Sequence, residues 1–147
     1  MKRKSIIQGF PICVALIFVV LTSGCVGPRV RAYSGDKLQK PEVAVIKGRY
    51  YFTPLYYDCV DIYSIDGSIL EATKVEILPG WHKLVIEHYV INLFGYPPEC
   101  VHAEFNFEAG HEYKIKSPFI SDLIEIIDVN TGVTIFSHAW VRCGPPR

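Results

Sequence analysis

An all-β fold, built as a single antiparallel β-sandwich of about eight strands, is what this sequence predicts, and three observations predict it. From Glu42 onward, apolar side chains recur at every second position, the mark of strands that bury one face. Turn-forming groups punctuate these runs at short intervals, at Asp66-Gly67, Pro79-Gly80, Ala109-Gly110 and Asn130-Thr131-Gly132. No stretch carries a sustained helical period. The nearest, SDLIEIID from Ser121, is so rich in β-branched residues that strand is favoured.

Taken in order, EVAVIKG opens the pattern and CVDIYSI runs into Asp66-Gly67, whose easy access to positive φ suits a tight hairpin. ATKVEIL ends at Pro79-Gly80, where proline fixes the first corner and glycine accepts the second. WHKLVIEHYV leads out with Leu84 and Ile86 on one face and Lys83 and Glu87 on the other. VHAEFNFEA places Val101, Ala103, Phe105 and Phe107 inward and His102, Glu104, Asn106 and Glu108 outward. HEYKIKS contributes Tyr113 and Ile115 to the core, and DLIEIIDVN with VTIFSHAWV makes a last hairpin. Short strands joined by tight turns argue for a sandwich or small barrel, with sequential strands as neighbours.

Upstream of the strands lies a different kind of sequence. Lys2, Arg3 and Lys4 precede ten uninterrupted apolar residues, Ile12 to Leu21. A bilayer-spanning helix needs roughly 20, so this length fits a secretory signal better. Small residues and a cysteine follow. Leu21-Thr22-Ser23-Gly24-Cys25 resembles a bacterial lipobox, with Thr22 where leucine is commoner and Cys25 in the acylated position. The resemblance implies a signal peptide over 1–24 and a diacylglycerol thioether on Cys25, an anchor that two or more buried chains make stable. The alternative is an ordinary signal peptide with Cys25 unmodified. Val26, rather than an aspartate, follows the cysteine. That implies the periplasmic face of the outer membrane in a Gram-negative envelope, or the outer face of the plasma membrane in a Gram-positive one.

The remaining segments follow from this start. VGPRVRAYSGDKLQKPE, with Gly, Pro and charges but no apolar period, reads as a flexible tether. Its residues would reach roughly 23 Å as a flexible chain. The organisation expected is therefore lipidated cysteine and tether over 25–41, sandwich over 42–141 and a loose tail over 142–147.

Composition limits what such a domain can do. Three of the 15 basic side chains lie in the leader, leaving 12 against 15 acidic ones and a mature net charge near −3. No basic stripe offers a nucleic acid the counterion exchange it needs, so no nucleic-acid partner is expected. Membrane attachment must come from lipid rather than charge. Cys59, Cys100 and Cys143 remain after Cys13 and Cys25 are accounted for. In an oxidising compartment this odd number implies one pair and a leftover thiol or an intermolecular bridge. The pair expected is Cys59–Cys100, each at the start of a strand, with Cys143 left in the tail.

A second likeness covers about Glu42 to Val133. SIDGSILEATKVEILPGWHKLVIEH is similar to PEGA-type extracytoplasmic β-sandwich modules, with strand, Pro-Gly turn, His and strand. FNFEAGHEYKIK is similar to the later part of small bacterial lipoproteins. The likeness implies a fold and an address, and brings no catalytic residues.

Candidate chemistry is sparse. His82 and His88 are six residues apart, about 20 Å along an extended strand, too far to share an ion. His82 and His111 each follow a glycine turn and are read as turn braces. HEYKI lacks the second His of H-E-x-x-H, and there is no G-x-S-x-G or phosphate-binding glycine loop. No enzyme activity, cofactor or metal is expected. Aromatics are in excess: Tyr50, Tyr51, Phe52, Tyr56 and Tyr57 crowd around Pro54, and INLFGYPPE carries Phe94 and Tyr96. Tyr56, Tyr57, Phe94 and Tyr96 are the candidates for binding a partner, since Tyr offers large contact area at low entropic cost. The plainer reading is that these rings are buried or plug an end of the sandwich. The function expected is a lipid-anchored, non-catalytic binding or accessory module for an envelope protein. The alternative is a small-ligand binder or hydrolase with its site in loops at an open end.

Overall fold

The computed structural model describes residues 29–53, 56–91, 97–117 and 122–144. The leader, Cys25, Phe94 and Tyr96 lie outside the described residues, as does the side chain of Tyr56. Among the described residues twelve strands form: β1 (Val30–Arg31), β2 (Ala44–Lys47), β3 (Arg49–Thr53), β4 (Tyr56–Ile65), β5 (Ser68–Ala72), β6 (Lys74–Ile77), β7 (Gly80–Ile91), β8 (Glu99–Phe107), β9 (Glu112–Lys116), β10 (Leu123–Asp128), β11 (Thr134–Ala139) and β12 (Val141–Arg142). They make two sheets. The first runs β1-β6-β2-β9-β10-β11 and the second β12-β8-β7-β4-β3, with β5 also paired to β4. No described helix is long and apolar enough to cross a membrane.

The all-β class and the two-layer build follow from the period-two pattern. Ile46, Val75, Ile77, Ile115, Ile124 and Ile126 from one sheet meet Val60, Ile62, Leu84, Ile86, Val101 and Ala103 from the other in one buried cluster. Burying an aliphatic side chain of this size contributes about 1.5–3 kcal/mol, so alternation over several strands is enough to hold two sheets together. Phe105, Phe107 and Tyr113 close one end of the core. The Phe107 and Tyr113 rings lie edge to face at 5.0 Å, and the Tyr113 hydroxyl accepts the Glu108 N–H at 2.9 Å. Asp66-Gly67 does form the β4–β5 hairpin, both residues at positive φ (50° and 82°).

Two strands are folded across both sheets. The chain leaves the first sheet at Gly48 to begin β3, and leaves the second at Thr73 to begin β6. The two crossings are joined by the Gly48 N–H to the Thr73 carbonyl at 2.8 Å. There the backbone of β2–β3 passes so near β4 that a Cβ on Gly48 would sit 1.9 Å from the Val60 carbonyl oxygen. Only glycine fits. β3 and β5 then share one edge of β4 end to end, β3 along Tyr56–Val60 and β5 along Ile62–Ile65.

The structure corrects four expectations. The sandwich is not wholly antiparallel: β1 lies parallel to β6, and β2 parallel to β9. The eight expected strands become twelve, because crossings split two runs and short strands add at both ends. The expected tether over 25–41 is not slack from Arg29 onward. Glu76, only 2% exposed, is a buried charge on β6 that needs partners. Arg29 pairs with it, the Tyr33 hydroxyl donates to it at 3.0 Å, and Val30–Arg31 adds a strand beside it. The tail is also fixed at its start, since Val141 and Arg142 pair with Cys100 and Glu99.

Candidate functional site

The cysteines are paired differently from expectation. Cys100 and Cys143 form the disulfide, with Cα atoms 5.0 Å apart, and Cys59 is free and buried. The reason is register. β12 lays Val141 opposite Cys100, which carries Cys143 along the same edge. Cys59 is instead opposite Tyr89 on β7, two strands away from β12. There it lies beneath the phenols of Tyr57 and Tyr89, and burial pushes its thiol up to about 11.

Outward-facing positions of β4, β7 and β8 build a groove on the solvent side of the second sheet. One cleft, of about 750 Å³, is lined by Tyr63, Val85, Glu87, His102 and the Cys100–Cys143 bridge, among others. A second hollow, of about 300 Å³, is lined by Asp61, Tyr63, Glu71, Glu87 and Tyr89. Tyr63 and Glu87 line both, so the two adjoin. Strand alternation puts Asp61 opposite Glu87 across the β4–β7 ladder. Glu71 joins them from β5 with a left-handed φ of 47°, a conformation that costs a side-chain-bearing residue on the order of 1 kcal/mol.

Three carboxylates so close raise the energy of charging any one of them. Burial, then the Glu71 and Asp61 charges, push the Glu87 carboxyl above its ordinary value. Burial likewise pushes the Tyr89 phenol up, and its hydroxyl donates to Asp61 at 3.2 Å. The other Asp61 oxygen is buried and has no hydrogen-bond partner. Glu87 and the two bridge sulfurs lie within 4.8 Å of one another, but sulfurs bonded to each other offer a metal no thiolate. The arrangement is suited to holding a polar or cationic group against phenol rings.

A second polar cluster fills the space between the sheets at the end reached by β3. Asp58, 2% exposed, takes Arg49 on one oxygen at 2.7 Å and His88 Nε2 on the other at 3.2 Å. The His88 ring packs on Trp140 at 5.2 Å, and the Trp140 indole N–H donates to Ser117 at 3.3 Å. Each charge here has a structural partner, and the cluster ties the sheets together.

The histidines read as turn braces behave so. His82 lies 2.6 Å from Asp66 and 3.0 Å from the Leu78 carbonyl, bridging two turns. His111 lies 2.8 Å from Asp128, which also takes the Asn130 N–H. Of the candidate partner-binding residues, Tyr57 faces outward between Phe52 and Tyr89, with ring centroids 6.4 and 5.8 Å away. Tyr50, Tyr51 and Phe52 are 43, 55 and 70% exposed on β3. The groove residues Asp61, Tyr63, Glu71 and Glu87 escape sequence reading because outward positions of a strand look like ordinary solvated ones until register places them together. Compared with known protein families, with curated proteins and with solved structures, the chain matches none.

Proposed function

We propose that this protein is a lipid-anchored lipoprotein of the cell envelope whose sandwich serves as a non-catalytic binding module for another envelope protein. The observation that carries this reading is the run Leu21-Thr22-Ser23-Gly24-Cys25 directly after a short apolar leader. Supporting it is the Cys100–Cys143 bridge, which belongs to an oxidising compartment. The groove on the second sheet supplies surface for contact. In a Gram-negative source the address is the periplasmic face of the outer membrane. Detergent phase partitioning tests the anchor: the natural chain enters the detergent phase and Cys25→Ser stays in the aqueous phase. A natural chain that partitions into water would refute the reading.

The adjoining hollows on the second sheet, lined by Asp61, Glu71 and Glu87 beside Tyr63 and Tyr89, favour a second reading, a binder of small cationic or polyhydroxylated molecules. Copurification separates the two: a stoichiometric protein recovered with the solubilised chain supports the first, and a small molecule bound in the groove supports the second.

A further inference from the structure

We infer that the anchored domain rests against the bilayer through edge strand β3, with Tyr50 and Phe52 in the headgroup layer. The inference rests on the acylation of Cys25 proposed above and goes beyond it by fixing which surface meets the lipid.

The proposed anchor is close to the folded domain along the chain. Cys25 is four residues from Arg29, and Arg29 is held by Glu76 where Val30–Arg31 enters the first sheet. Four residues span at most about 14 Å fully extended, so the body of the domain cannot stand far from the acyl chains.

Arg29 is held near the corner from which β3 sets out. Val30 is opposite Val75, which places Arg29 beside Lys74. Lys74 is in turn opposite Lys47, one residue before the Gly48 crossing from which β3 sets out. With strands about 4.8 Å apart, the anchor leaves the domain roughly 10 Å from the start of β3. β1 and β6 then run away from that corner, and β3 sets out from it into the second sheet.

That side displays exposed rings. β3 is the outermost strand of its sheet. Tyr50 and Phe52 share its outer side, opposite Cys59 and Tyr57, and are 43 and 70% exposed. Ile69, 63% exposed on β5, continues the same edge. Tyrosines and other amphipathic rings favour the membrane–water interface. An exposed aromatic edge is otherwise a liability for pairing with other chains. A mature net charge near −3 gives no attraction to anionic lipid, so contact must be aromatic and apolar. The exposed Leu78 and Trp81 flank the turn at the other end of β6, away from the anchor.

The test uses full-length, processed protein in phosphatidylethanolamine–phosphatidylglycerol vesicles whose acyl chains are brominated near the headgroups. The emission added by Phe52→Trp is compared with that added by Ile135→Trp, on β11 at the opposite edge of the first sheet. Interfacial seating predicts quenching at 52 at least about twofold greater than at 135. Tyr50→Trp, on the same side of β3, repeats the measurement. Protein that floats with the vesicles yet shows equal quenching at the two sites overturns the seating and leaves the anchor standing. Protein that does not float and carries no acyl mass overturns both.

Discussion

Asp128 is one of five buried polar or charged residues in the described domain. Burial alone would push its carboxyl up, yet the His111 ring, the Asn130 N–H and the Thr131 hydroxyl outweigh burial and hold it below the ordinary value. A depressed folded pKa stabilises the protein above the unfolded value of about 3.9, and that contribution is lost as pH falls through the folded value. Asp128→Asn is therefore expected to cost about 1–3 kcal/mol near neutral pH. The deficit should begin to shrink below about pH 4, where the unfolded carboxyl takes up a proton, and vanish only once pH falls below the lower, folded value. Denaturant unfolding at pH 7 and pH 3 measures this, and an equal deficit at both would contradict it. His111 is legible as a brace because it follows Ala109-Gly110. Its partner is not, since Asp128 is 17 residues away and arrives through the β9–β10 ladder. Cysteine pairing fails in the same way: each cysteine's location in a strand is readable, but which strands are neighbours is not.

Strands with one dry face are the most legible elements. β8 alternates buried and exposed positions without a break from Val101 to Phe107, as its sequence indicates, because burial of every second side chain is the only way such a segment gains from folding. The crossings are hidden. Gly48 looks like the end of a strand, whereas it is the point where a continuous extended segment changes sheets. Gly48→Ala forces a methyl group into the Val60 carbonyl at a place where only backbone can move. A loss of at least about 3 kcal/mol is expected, read as a large fall in melting temperature or failure to fold. An alanine variant with unchanged melting temperature would show that the crossing is looser than the structure has it. The parallel pairs β1–β6 and β2–β9 are equally hidden, because their partners are joined by long connections rather than tight turns.

For the whole molecule, the disulfide and the docking of Arg29 and β1 onto the first sheet set the limits. Cys100 and Cys143 are 43 residues apart, and closing a loop of that length stabilises by about 3–4 kcal/mol in the chain-entropy account. Cys143→Ser is expected to lose that amount and to free β12, as urea unfolding with and without reductant would show. If reduction destabilises the natural chain but not the variant, the bridge is the one described. Equal losses in both would point to Cys59 instead. The groove on the second sheet could not be assembled from sequence, because it draws single outward residues from β4, β5, β7 and β8. The lipobox-like run Leu21–Cys25, in contrast, is a local signal read from five consecutive residues, and the proposed address depends on it. The most direct measurement is the intact mass of the amino-terminal peptide from the membrane-purified protein. The account predicts a peptide beginning at Cys25 and carrying the mass of a diacylglycerol. A peptide beginning at Met1, or one beginning near Cys25 with no acyl mass, would contradict it.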